Sequence, residues 1–154
     1  MKNDLTAGYR TLAEEARGLL AGQSYRIANA ANLSALIFHR LEQVNWAGFY
    51  FLEDDRLIVG PFQGQPACVE IGIGRGVCGV AAATRTTQRV ADVHAFEGHI
   101  ACDVASRSEL VVPLVLGDEL IGVLDIDSPV LDRFSADDQA GIEALGRIFL
   151  DSIA

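Results

Sequence analysis

Positive charge is scarce in this chain: 12 Lys and Arg stand against 21 Asp and Glu, a formal net charge of −9. A field of that sign repels phosphate backbones and anionic headgroups, which argues against nucleic-acid and membrane partners. Long apolar runs are missing as well. No stretch approaches the roughly 20 apolar residues that a bilayer span requires. The N-terminus, MKNDLTAGYRTLAEEARGLL, carries acidic residues where a signal peptide would have its apolar run, so the expected setting is cytoplasmic. Cysteine is sparse: Cys68, Cys78 and Cys102 are an odd number and too few for a secreted disulfide framework. In a reducing compartment they are thiols, used for packing, metal binding or redox chemistry. Repeats, low-complexity tracts and linkers are also absent.

What is present reads as one folded unit. Half of the 154 residues are apolar, and a chain of this length buries roughly 68–70% of its unfolded surface. Leu5, Tyr9, Leu12, Ala16, Leu19 and Leu20 recur at helical spacing and Gly22 stands where a helix would stop. A second helix runs from near Ser24 to Leu41 and reads as mostly buried. VNWAGFYFL and LIVGPF, joined by the polar turn Glu53 to Arg56, predict a hairpin. A short strand follows around Cys68 to Ile71, then GIGRGVCG, a short helix through Val80 to Thr84, and a strand from Thr87 to Asp92. The aperiodic segment Val93 to Ser108 reads as a long functional loop with one helical turn, and holds Cys102. Glu109–Leu116 and Leu120–Asp127 flank Gly117, Asp118 and Glu119 as a second hairpin. Ser135 and Asp138 form a capping-box pattern ahead of a closing helix. The fold expected is α+β: a central antiparallel sheet of about six strands with helices packed on it, in a single domain 1–154 with a helical N-terminus 3–41, sheet and loops 44–128 and a C-terminal helix 135–153.

Alternation places Ile121, Val123, Asp125 and Asp127 on one face of their strand. If the hairpin loop has three residues, Leu116 pairs with Leu120, Glu109 falls opposite Asp127 and Val111 opposite Asp125. Three carboxylates then cluster at one end of a buried face. Like charges that close raise at least one pKa and keep a proton available near neutral pH, as a general acid requires. A two-residue loop would turn Glu109 to the other face and dissolve the cluster. The bland reading is strand-end carboxylates in water.

A cysteine becomes nucleophilic where its surroundings favour thiolate. Cys102 sits in a loop near His99, although Asp103 beside it works the other way. Two further patterns are weaker. Gly74, Gly76 and Gly79 spell GxGxxG with Asp92 beyond, yet the intervening helix is too short and the topology wrong for a dinucleotide site. His94, His99 and Cys102, with Cys68 or Cys78, are possible metal ligands, but no paired CxxC accompanies them.

Taken in order, WAGFYF, GPFQGQPACVEI, GRGVCG, HIACD, SELVVPL and GVLDIDS resemble the free methionine-(R)-sulfoxide reductases, a family with the GAF fold. The resemblance runs from Trp46 to Ser128. It implies that Cys102 attacks the sulfur of free methionine-(R)-sulfoxide and becomes a sulfenic acid. A second cysteine then closes a disulfide that thioredoxin reduces. Cys68 is the favoured resolving residue, Cys78 the alternative. Glu109, Asp125 and Asp127 match the acidic positions that grip and protonate the sulfoxide oxygen, and Trp46 and Tyr50 form the wall for the substrate's methyl group and side chain. The family needs no cofactor or metal and commonly forms homodimers. Glu97 follows Phe96 where the family often has proline, and Val104 stands where alanine is more usual. The alternative function is a non-catalytic GAF sensor of a small molecule.

Overall fold

Thr6 opens α1 (Ala7–Leu20) by accepting a hydrogen bond from the Tyr9 amide through its hydroxyl. Leu12, Ala13, Ala16 and Leu20 then fall on the buried face. Beyond the last turn Gly22 takes φ +84°, a left-handed conformation that ends the helix. The computed structural model describes residues 5–100 and 105–154, so Cys102 and its immediate neighbours lie outside the described residues. Helix α2 (Arg26–Arg40) is amphipathic rather than mostly buried. Its inner stripe is Asn29, Ala30, Leu33, Ser34 and Ile37, whereas Ile27 is 62% exposed. Two polar residues enter the stripe because each finds partners. Asn29 donates to the Gln23 carbonyl, and the Ser34 hydroxyl donates to the carbonyls of Ala30 and Pro61.

The strands are β1 (Trp46–Glu53), β2 (Arg56–Gly64), β3 (Glu70–Gly72), β4 (Gln88–Val90), β5 (Ser108–Leu116) and β6 (Glu119–Ser128); α3 (Gly76–Thr84) follows β3, a 3-10 turn (Val93–Ala95) follows β4, and α4 (Ala136–Ile153) closes the fold. They form one six-stranded sheet in the order β3-β2-β1-β6-β5-β4, every pairing antiparallel. This is the α+β architecture expected. Strand alternation divides the core in two. Ala47, Phe49, Phe51, Leu110, Val112, Leu114, Leu124 and Ile126 face α1, α2 and α4. Phe149 of α4 packs on Phe49 with ring centroids 4.7 Å apart, and burying such a ring is worth about 1.5–3 kcal/mol. Trp46, Tyr50, Val111 and Val123 point the other way, toward α3 and the connections around it.

The β5–β6 turn is not the three-residue loop expected. Leu116 pairs with Glu119 and Val115 with Leu120, leaving a two-residue turn at Gly117 and Asp118 with Gly117 at φ +63°. A bulge then inserts Ile121: Leu114 pairs with Gly122, and from there Val111 pairs with Asp125 and Glu109 with Asp127. The extra residue restores the register that the shorter turn would have lost. Ile121 itself, expected on the aspartate face, packs against the opposite core.

Candidate active site

Glu109 at the start of β5 and Asp125 and Asp127 at the end of β6 share the α3-side face of the sheet. Trp46 pairs with Asp127, Gly48 with Asp125 and Tyr50 with Val123, so the two β1 aromatics fall on that face too. Trp46 stacks on Tyr50 at 5.9 Å and on Phe62 of β2 at 5.1 Å. From above, α3 lowers Cys78 onto the carboxylates, its sulfur 3.9 Å from Glu109 Oε2. Trp46, Tyr50, Cys78, Glu109, Asp125 and Asp127 line one cleft together with His99 and Ile100 on one side of the undescribed stretch and Ser106 on the other.

The GxGxxG motif builds this roof rather than a phosphate cradle. Gly74 N–H donates to the Gly79 carbonyl, Arg75 N–H to that of Gly72, and Gly79 N–H to that of Arg75, which folds the loop onto its own helix. A side chain at Gly79 would meet the Gly72 carbonyl oxygen at 2.5 Å, so glycine is required for the close approach.

Burial dominates the electrostatics. Glu109 is 8% exposed and Asp125 4%. Loss of water pushes the Glu109 carboxyl well above its ordinary range, and the Asp125 charge pushes it further. Asp125 is raised well above its range by burial and then by Asp127. The Cys78 thiol is also driven up, by burial and then by Asp125, Glu109 and Asp127. Tyr50 is raised by burial and by the same carboxylates. Glu109 and Asp125 therefore keep their protons to higher pH than ordinary carboxyls do. His99 is lowered by burial and by His94, whose ring lies 5.8 Å away. Among the described residues, Cys78, Glu109 and Asp125 are the set whose donor atoms, within 4.8 Å of one another, could hold a metal ion.

Cys68 corrects one expectation of position: it sits in the irregular connection before β3, not on that strand. Pro66 leads into this connection, and a short edge strand is all that follows. Its sulfur is disulfide-bonded, while Cys78 is a free, buried thiol. The structure thus brings together Trp46, Tyr50, Cys78, Glu109, Asp125 and Asp127; the assignment to Cys102 lies outside the described residues. Phe62, Arg75, Ile100 and Ser106 also border the site without having been singled out. Ile100 and Ser106 fall in an aperiodic loop with no pattern to mark them. For Arg75 a signal existed in its two glycine neighbours, Gly74 and Gly76, both at positive φ.

A GAF domain family model matches residues 28–151. The free methionine-R-sulfoxide reductase of Escherichia coli is 54% identical over 91% of this chain and 85% of its own. A substrate complex of the Staphylococcus aureus enzyme, fRMsr, superimposes with a TM-score of 0.92 at 49% identity, covering both chains fully. A protein of Burkholderia vietnamiensis described as a putative GAF sensor is 61% identical, with a TM-score of 0.91 over 94% of this chain and 92% of its own. With a buried carboxyl cluster of raised pKa beneath a cysteine and an aromatic wall, and with relatives this close over nearly the whole length, the chain belongs to the free methionine-R-sulfoxide reductases of the GAF-domain family.

Proposed function

We propose that this reductase acts on free methionine-(R)-sulfoxide through Cys102. The Cys102 sulfur attacks the sulfoxide sulfur while the carboxyl cluster of Glu109, Asp125 and Asp127 delivers a proton to the oxygen. The net step is thiol plus sulfoxide to sulfenic acid plus thioether: the oxygen passes to Cys102, whose sulfur loses two electrons, and methionine leaves reduced by two. The Cys68 thiol then displaces water from the sulfenic acid and closes a Cys68–Cys102 disulfide. Thioredoxin, as a dithiol, returns two electrons and two protons. Trp46 and Tyr50 form the apolar wall for the methyl group. No cofactor enters the cycle, and it suits a cytoplasmic homodimer supplied with thioredoxin.

The observation that carries this reading is the buried carboxyl cluster, which keeps protons where ordinary carboxylates have lost them. Asp125 Oδ1 is buried without a hydrogen-bond partner among the described residues, which suits a group that shares a proton with a substrate oxygen. That Cys68 is disulfide-bonded and Cys78 is not supports Cys68 as the resolving thiol. Cys78 has the opposite qualifications: burial and three neighbouring carboxyls keep it a neutral thiol, a hydrogen-bond partner for Glu109 more than a nucleophile.

Thioredoxin-coupled turnover with each epimer of methionine sulfoxide, and single-turnover methionine release by Cys102→Ser, test the proposal. Wild type is expected to consume the R epimer, and the variant to release no methionine. Release by the variant would overturn the role of Cys102. Absence of wild-type turnover with either epimer would favour a small-molecule sensor.

A further inference from the structure

We infer that the Tyr50 hydroxyl and the Trp46 indole N–H are a positioning device for Cys68, holding the connection that carries it in place for disulfide closure. The inference rests on Cys68 being the resolving thiol. Tyr50 Oη donates to the Cys68 carbonyl at 3.1 Å, and Trp46 Nε1 donates to the Gln65 carbonyl at 3.1 Å. Residues 65–69 have no strand or helix of their own. Among the described residues their backbone has one further hydrogen bond, the Val69 carbonyl accepting from Val59 N–H at 2.9 Å, and the Cys68 sulfur adds its disulfide. Two of these three backbone hydrogen bonds come from aromatic side chains of β1, one at each end of the segment Gln65 to Cys68.

Both anchors are rigid. Trp46 and Tyr50 are each 2% exposed, and they stack on one another and on Phe62. Burial and the neighbouring carboxylates keep the Tyr50 hydroxyl protonated, so it can only donate to a carbonyl. The geometry matters because closing a disulfide demands a narrow range of separations and angles. A loop free to wander lowers the effective concentration of its thiol, and a displacement of about 1 Å can cost about a hundredfold in rate. A wall built only for the substrate's methyl group would need the rings and neither polar tip.

Tyr50→Phe keeps the ring and removes the tether. Rapid-quench measurement of methionine release and of free-thiol loss, in one experiment, separates the two chemical steps. Disulfide closure is expected to slow at least about tenfold more than methionine release does, with sulfenic acid accumulating between the steps. Incorporating 4-aminophenylalanine at position 50 restores an N–H donor and is expected to recover closure. Equal slowing of both steps, or slowing of neither, would overturn the inference. If Cys68→Ser closes a disulfide and cycles like wild type, the premise about Cys68 fails instead, by a readout independent of Tyr50.

Discussion

Three carboxyls and a thiol in one largely buried cleft are an expensive arrangement, and the cost has a sign that can be measured. Folded Glu109 and Asp125 hold their protons at pH values where the unfolded chain has released them. The folded state then binds more protons than the unfolded one, so the cluster's contribution to stability is lost as pH rises from the ordinary carboxylate range toward the raised values. Asp125→Asn removes one such group without changing shape. It is expected to melt above wild type near neutral pH and higher, with the gap closing toward about pH 4, while activity falls strongly. Thermal melts across that range check this; a wild type that gains on the variant as pH rises would contradict it. Cys68→Ser is expected to release about one methionine per enzyme in a burst and then stop under thioredoxin, since the sulfenic acid forms without a partner.

Single elements place these groups. The Ile121 bulge makes the carboxyl cluster compatible with a two-residue turn, and Gly122 beside it lies so close to β1 that a Cβ would collide with the Tyr50 carbonyl oxygen. Gly122→Ala is expected to cost about 1–3 kcal/mol of stability and to lower activity with it, because the strain falls between Tyr50 and the aspartates. At the other face α4 starts with a full capping box, Ser135 and Asp138 bonding each other's amides. Asp138 also accepts from the Tyr9 hydroxyl at 2.6 Å and pairs with Arg133 at 3.1 Å, tying α1 to α4. Burial raises the Asp138 pKa, but the bonds from Ser135 and Tyr9 and the Arg133 charge outweigh it and leave the group lowered. Its stabilisation is therefore present above the ordinary carboxylate range and is lost as pH falls through the lowered value. Asp138→Asn is expected to lose about 1–3 kcal/mol near neutral pH, with the deficit shrinking in acid. Equilibrium denaturation at two pH values measures it, and activity of the folded fraction should persist because Asp138 is remote from the cleft.

The molecule as a whole is a sheet with unlike faces. Helices α1, α2 and α4 cover one with an apolar core, and α3 with the irregular connections covers the other, where the polar site lies. Among the described residues no helix is long and apolar enough to cross a membrane. On the proposed reading, a pocket roofed by α3 and walled by β1 would give a chiral sulfur fixed directions, its oxygen toward the carboxyls and its methyl toward Trp46. The S epimer, binding with these groups exchanged, would leave its oxygen without a partner against an aromatic face, at about 1–3 kcal/mol, and would forfeit the proton donor. Turnover is expected with free methionine-(R)-sulfoxide and neither with the S epimer nor with N-acetylmethionine sulfoxide, as chromatography of the product methionine would show.

Element identities were legible in the sequence because they follow from local pattern. Period-3.6 apolar residues marked α1 and α4, aromatic-rich and β-rich runs around turn residues marked β1, β5 and β6, and Ser135 with Asp138 marked the last helix start. Alternation along β6 put Asp125 and Asp127 on one face, and motif order tied the set to its family. Tertiary structure decided what local pattern does not encode. Whether Glu109 joined the aspartates depended on a bulge, which is a pairing of two strands and belongs to neither alone. The exposure of Ile27 on α2 depended on which neighbours covered it, since periodicity marks a face only where something packs against it. The tether from Tyr50 to Cys68 crosses 18 positions in sequence, and the raised carboxyl pKa values require water to be excluded from the cleft. A single strand keeps its side chains wet; burial, and the chemistry that follows from it, exists only once α3 has closed over the sheet.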